Sequence, residues 1–364
     1  MMSWSPTPSR EATSALCNLW RTPAWRESTH ATEIESVLRQ KLVDQDDVNR
    51  LHAAQVAIFL AGDGNRFDFV ADLLGAEQRL EVATVLLGHL RSFADERSAD
   101  VDAVIEMLRG IAPWAALLRE SERDPDLIDA LGVMTGLVLY MTIRHQAPAS
   151  SALAGEWMRS PVATDAARRA VVQLRGWIAL PDERAGERRR AFDLLDLAIT
   201  RLAQLRQSVA GDEDLKAIFT VADSIAHEIY FASGAHASGN DAPTPAASGF
   251  VEDALVILEK LAEFKHPAIT YAIVETVDHI APVNPVRAFH VVCGAVKNGD
   301  EYTYDGLAAE KTVLLVERYF TEFGDFVLAD DLLLTAIRSV LSAFVSVGWP
   351  AAIALAYRLS DTFR

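Results

Sequence analysis

The sequence predicts an all-α protein, and three observations carry the prediction. Apolar residues recur at helical spacing through nearly every segment, and the residues between segments are those that start and stop helices. No stretch alternates apolar and polar residues long enough for a strand. This reading gives roughly fourteen to sixteen helices of about 10–25 residues joined by short turns. Such a chain fits an α-solenoid-like array of helical hairpins, of the HEAT, armadillo or TPR kind. No residue signature repeats at a fixed period, so an irregular helical bundle stands as the alternative.

Taken in chain order, the elements rest on particular residues. Thr32 with Glu35 has the spacing of a capping box before Ile34–Val43. Between Asp47 and Leu60, Val48, Leu51, Ala54, Val56, Ile58 and Phe59 make a broad apolar face. The run Leu131–Ile143 is the longest apolar stretch, shorter than the roughly 18–20 residues that span a bilayer, and it reads as a helix buried on most sides. Asp124-Pro125, Ser160-Pro161 and Asn284-Pro285 each pair a capping residue with proline at a first helical position, where the missing N–H costs nothing. Gly62, Gly75, Gly211 and Gly299 fall where helices are expected to end. Leu255, Leu258, Leu261 and Ala262 share one face of a further helix, away from Glu252, Asp253, Glu259 and Lys260. The segment from Ala329 to Val347 has only a narrow polar stripe, Asp331, Thr335, Arg338, Ser342 and Ser346, so it wants neighbours on more than one side. From Pro350 onward, Ala352, Leu355, Leu359 and Phe363 share a face that should dock a closing helix on the one before it.

Composition sets the domains and the exclusions. Residues 234–249 are small, polar and proline-containing, which reads as a flexible linker. It separates a helical array over 31–233 from a C-terminal array and cap over 250–364, with a partly disordered tail expected over 1–30. The 364 residues carry 51 acidic against 34 basic side chains, a net charge of −17, and half are apolar. That balance argues against nucleic-acid and anionic-membrane partners, both of which need surplus Lys and Arg. The two cysteines, Cys17 and Cys293, exclude a disulfide framework. With no basic start followed by an apolar run, the chain is expected in the cytoplasm.

Motifs that carry chemistry are sparse. There is no phosphate-binding G-x-x-x-x-G-K-[ST], no G-x-S-x-G and no H-E-x-x-H. Asp63-Gly64-Asn65 lacks the other ligands of a calcium loop and reads as a turn. Asp223 and His227, one helical turn apart, have the spacing of a carboxylate-oriented imidazole. His266, His279 and His290 lie on successive helices with Glu275 and Asp278 among them. Cys293 lies three residues from His290 in an apolar run, where an inert buried thiol is expected. Arg184, Arg188, Arg189 and Arg190 are interleaved with Asp182, Glu183, Glu187 and Asp193, which reads as a solvated helix face. No catalytic, cofactor or metal site is assigned. The alternative is an enzyme with a polar site between helices, built on His227/Asp223 or on His266/His279/His290.

One resemblance is more particular. Tyr302, Tyr304, Leu307 and Ala308, then Val316-Glu317-Arg318-Tyr319, Gly348-Trp349-Pro350 and Tyr357-Arg358-Leu359 run through about the last quarter of the chain. This region resembles the helical C-terminal part of large bacterial ATP-binding proteins of defence-type systems, in which an NTPase core precedes a long helical sensor. The resemblance implies a scaffold or sensor subunit, with any NTP-driven activity on another polypeptide. The function expected is therefore a non-enzymatic helical-repeat protein that binds a partner protein, with self-association open and no cofactor.

Overall fold

In a computed structural model, the described residues are 5–61, 65–109, 125–237, 248–296 and 306–360. They are helices and turns, with no strand among them. No helix among them is long and apolar enough to cross a membrane. The chain divides into two compact units, residues 1–157 with 163–170, and residues 158–162 with 171–364.

The first unit holds α1 (Pro8–Arg21), α2 (Pro23–Arg26), α3 (Ala31–Lys41), α4 (Asp47–Ala54), α5 (Ala57–Leu60), α6 (Arg66–Ala76), α7 (Leu80–Arg91), α8 (Ser98–Arg109), α9 (Pro125–Tyr140), α10 (Pro148–Arg159) and most of α11 (Asp165–Gln173). α7 is its centre and packs on α4, α6 and α9. α1 starts within the region whose composition reads as a partly disordered tail. Pro8 takes its first turn, the Thr7 hydroxyl accepts from Arg10 N, and Cys17 and Trp20 are buried.

Local start signals are only partly used. Thr32 does not cap α3. The chain turns earlier, with His30 at the cap position and its N–H given to the Ser28 hydroxyl. Ser160-Pro161 ends α10 instead of opening a helix, and the Thr164 hydroxyl caps α11 by accepting from Ala167 N at 3.1 Å. The broad face from Val48 to Phe59 is split between α4 and α5 by a turn at Gln55-Val56. Leu131–Ile143 is buried as its apolarity demands, with Met134, Leu137, Val138, Leu139, Met141 and Ile143 sealed off from solvent. Gly62, Asp63, Gly64 and Asp124 lie outside the described residues.

One buried carboxylate in this unit is satisfied across a long sequence separation. The Asp102 carboxylate on α8 accepts from Ala149 N at 2.9 Å, Ser150 N at 2.8 Å and the Ser150 hydroxyl at 2.6 Å. It thus caps α10 from another helix. Asp102→Ala strands those donors and is expected to cost roughly 2 kcal/mol. Urea denaturation measures this, and a midpoint equal to wild type would mean that the cap carries no stability.

The second unit holds α12 (Arg175–Ile178), α13 (Ala185–Ser208), α14 (Asp212–Ser233), α15 (Ser248–Ala262), α16 (Pro267–Ile280), α17 (Pro285–Val296), α18 (Gly306–Glu322), α19 (Gly324–Ala329), α20 (Asp331–Ser346) and α21 (Pro350–Arg358). Its helices pack in two rows. In one, α13 packs on α15, α15 on α17 and α17 on α20; in the other, α14 packs on α16, α16 on α18 and α18 on α21. Chain neighbours join the rows, as α16 with α17 and α20 with α21. Asn284-Pro285 opens α17 as its sequence predicts, the Asn284 side chain accepting from Arg287 N at 3.2 Å. Gly211 precedes α14 at its N-cap, while Gly234 ends that helix at φ 84°, a left-handed conformation that favours glycine. Most of the 234–249 segment, Gly299, Tyr302 and Tyr304 lie outside the described residues.

The last helix docks through Ala352 and Leu355, both buried, and α21 ends at Arg358 so that Leu359 is only half-covered. Phe363 lies outside the described residues.

Candidate functional site

The residues that sequence spacing singles out do not assemble into one site. His227 Nδ1 lies 3.2 Å from the Asp223 carboxylate and 3.0 Å from the Asp223 carbonyl, as the one-turn spacing on α14 dictates. The hydrogen bond to the Asp223 carboxylate holds the imidazole above its ordinary pKa. Beside it, burial raises the Glu228 carboxyl, which pairs with Arg175 at 2.9 Å. The surroundings are rings, with Phe231 centred 6.4 Å and Tyr230 6.5 Å from His227. The pair is a helix-side ion pair against an aromatic wall, and it lines neither of the clefts described below.

The three histidines do not meet. His266 precedes α16 and stacks on Phe219, with centroids 4.7 Å apart. His279 is in the last turn of the same helix, near Ser233 and Gly234, so about 20 Å of helix separates the two. His290 is exposed on α17. Among the described residues no group of three or more His, Cys, Asp and Glu is placed to hold a metal ion. Spacing along the chain puts His266 and His279 on successive helices, but a single helix, α16, runs between them.

The arginine cluster also departs from its sequence reading. Arg189 is exposed, but Arg188 is 2 % exposed and makes ion pairs with Asp182 at 2.8 Å and Asp253 at 3.5 Å. It also donates to the Leu180 carbonyl at 3.0 Å. Its place is structural, as a hub between the turn before α13 and helix α15. At Cys17 burial pushes the thiol up to about 11, and Sγ sits 3.1 Å from the His52 carbonyl.

Sequence reasoning missed two features. α9 runs into a π-helical turn, Met141–His145, which brings Tyr140 and His145 onto one carboxylate. Tyr140 Oη donates to Asp95 at 2.6 Å and His145 Nε2 lies 3.0 Å from the same oxygen, while Arg91 stands 3.6 Å over the Tyr140 ring. The second feature is a groove of about 340 Å³ between α17 and α20. Its walls are mostly apolar or small, including Val296, Leu332, Ala336, Val340 and Ala343, with Cys293 and His290 on the α17 side. A neighbouring cleft runs between α20 and α21 past Leu341, Val345 and Ala356. The signal for both clefts was the excess of apolar residues on α20, whose partners α17, α18, α19 and α21 leave one side open. The groove supplies mainly apolar contact, with His290 and Cys293 on one wall.

The histidines that packing buries set an acid response. Burial holds His89 and His279 below the ordinary imidazole pKa, and His89 Nε2 lies 2.9 Å from the Ala54 carbonyl. Unfolding therefore takes up protons below about pH 6.5, and stability falls as pH drops through that point. His227 has the opposite sign, because its raised pKa gives stability that is complete below about pH 6.5 and is lost as pH rises through the folded value. In thermal melts between about pH 7.5 and 5, His89→Gln is expected to lose less stability than wild type and His227→Gln to lose more. Parallel slopes for all three proteins would contradict the assignment.

No family model matches this chain, and neither do any curated proteins or solved structures. The class that fold and surface define is an all-helical protein whose second unit carries an open apolar groove.

Proposed function

We propose that this chain is a non-enzymatic helical scaffold or sensor that binds a partner protein, with its second unit built as a solenoid-like array of helical hairpins. The two rows of the second unit support the array reading, since stacked hairpins bring a helix against the next but one in sequence, as α13 to α18 do before the short α19 shifts the register. The observation that carries partner binding is the distribution of exposed apolar side chains. Among the described residues, Leu314, Phe326, Leu328, Leu332, Val347, Ile353 and Tyr357 are each at least 46 % exposed. They make up seven of the fourteen exposed large hydrophobic residues, and all fall on α18 to α21 or the turns between them. Concentrated apolar exposure of this kind marks interaction surfaces. The resemblance of α17 to α21 to the sensor part of bacterial defence-type ATP-binding proteins makes a cytoplasmic defence assembly the setting, with NTP hydrolysis on a separate polypeptide. Nucleic acid and membrane are not the partners this surface and charge favour.

A photo-crosslinking residue placed at Phe326, Leu328 or Tyr357 in the native host is expected to give a discrete protein adduct. The exposed positions Gln40 and Gln207 serve as controls and should not give it. No adduct, or the same adducts from all five positions, would overturn the reading.

A further inference from the structure

We propose that the groove between α17 and α20 receives one amphipathic helix of a partner protein, with an apolar stripe against α20 and basic residues at the stripe's end. This rests on the partner-binding reading above and names the chemistry of the partner.

The lining fits a helix. On α20 it follows Leu332, Thr335, Ala336, Ser339, Val340 and Ala343, the three-and-four spacing of a single helical stripe. An adjoining face of the same helix, with Leu333, Ile337, Leu341 and Phe344, is buried in the unit. Beside it the groove stripe is built of small and apolar side chains, with Val340 buried at its base and Leu332 exposed at its end. The side chains at 335, 336, 339 and 343 are small, which lets an incoming backbone approach closely and take up helix-in-groove packing. Leu332, 74 % exposed, stands at one end beside exposed Leu328, where a bound helix would cover both.

Charge selects the occupant. Asp325 and Asp331 flank that leucine end, both are exposed, and neither makes an ion pair among the described residues. Among the described residues the groove lining contains no Lys or Arg. A second copy of a chain with net charge −17 would approach against like charge, whereas a basic flank would be steered in.

The test uses the full chain and fluorescent peptides of about 14 residues, read by anisotropy at about 0.05 and 0.15 M salt. One has Leu and Lys at amphipathic helical spacing, one has Leu and Glu at the same positions, and one is the Leu/Lys composition scrambled to abolish the stripe. Binding of the amphipathic Leu/Lys peptide is expected, at least tenfold tighter than either of the others and weaker at higher salt. Ser339→Phe fills the groove and should weaken that binding at least tenfold. Leu332→Glu, at an exposed position where folding is not at stake, should do the same, and Asp331→Lys should remove most of the salt dependence. Equal binding of the scrambled peptide would overturn the proposal as mere attraction to an acidic protein. Self-association in ultracentrifugation that Ser339→Phe abolishes would assign the groove to a second copy instead. No peptide binding, together with discrete adducts at Phe326 or Leu328 in the crosslinking experiment, would reject the basic helix and leave the partner reading standing.

Discussion

Arg188→Ala is expected to destabilise the second unit by about 3 kcal/mol, a loss larger than a surface arginine can produce. The guanidinium is sealed beneath the start of α13 and holds Asp182, Asp253 and the Leu180 carbonyl together. Removing it leaves a void and two carboxylates without their cation. Asp182 is half-exposed and regains water, so the lower end of the range for broken buried pairs applies. Arg188→Lys should recover less than half of the loss, because a single ammonium cannot reach three acceptors set around a planar fork. Gly249 gives an independent check. A Cβ there would lie 2.8 Å from Asp182 Oδ1 and closer still to the Arg188 guanidinium, so Gly249→Ala should cost about 1–3 kcal/mol through overpacking. Urea midpoints that match wild type for both variants would show that the hub carries no stability.

Tyr319→Ala should cost about 3–5 kcal/mol, the range for emptying a large aromatic site in a packed core. The ring is fully buried on α18, meets Phe289 of α17 edge-on at 4.7 Å, and donates its hydroxyl to the Pro285 carbonyl at 2.8 Å. One side chain thus fixes a helix of one row to the first turn of a helix in the other. Burial raises the phenol pKa, so the hydroxyl stays protonated and keeps donating through the alkaline range. Tyr319→Phe keeps the ring and removes only this bond, leaving the Pro285 carbonyl short of a partner, for about 1 kcal/mol. The difference between the two variants separates packing from hydrogen bonding. Equal losses in calorimetry would mean that the hydroxyl, not the ring, holds the joint.

Much of the helical framework was legible because its causes are local. The Leu255–Ala262 face, the Asn284-Pro285 start of α17 and the burial of Leu131–Ile143 follow from periodicity, from proline's fixed φ and missing donor, and from sheer apolarity. Where a local signal failed, a competing local option had won. Thr32 lost its cap to the turn at Ser28, and Ser160-Pro161 ended a helix because Thr164 caps the next one.

The site residues were less legible, since a helical period gives the direction of a side chain around its own axis and nothing about the helix opposite. His227 and Asp223 found each other because four residues on one helix always do. His266 and His279 fall at the two ends of one helix, α16, and His290 on the next, so the rise along α16 alone keeps the three from one point.

The sequence by itself determined an all-helical chain, its acidic charge and the surplus of apolar residues on α20, because each is a sum or a period over neighbouring residues. Only the tertiary structure decided that Arg188 is buried while Arg189 is exposed, and that α20 buries Leu333, Ile337 and Phe344 while its stripe through Ala336 and Ser339 lines an open groove. These outcomes depend on which distant helix arrives at a given face. That is fixed by the free energy of packing the whole unit, and no window of neighbouring residues contains it.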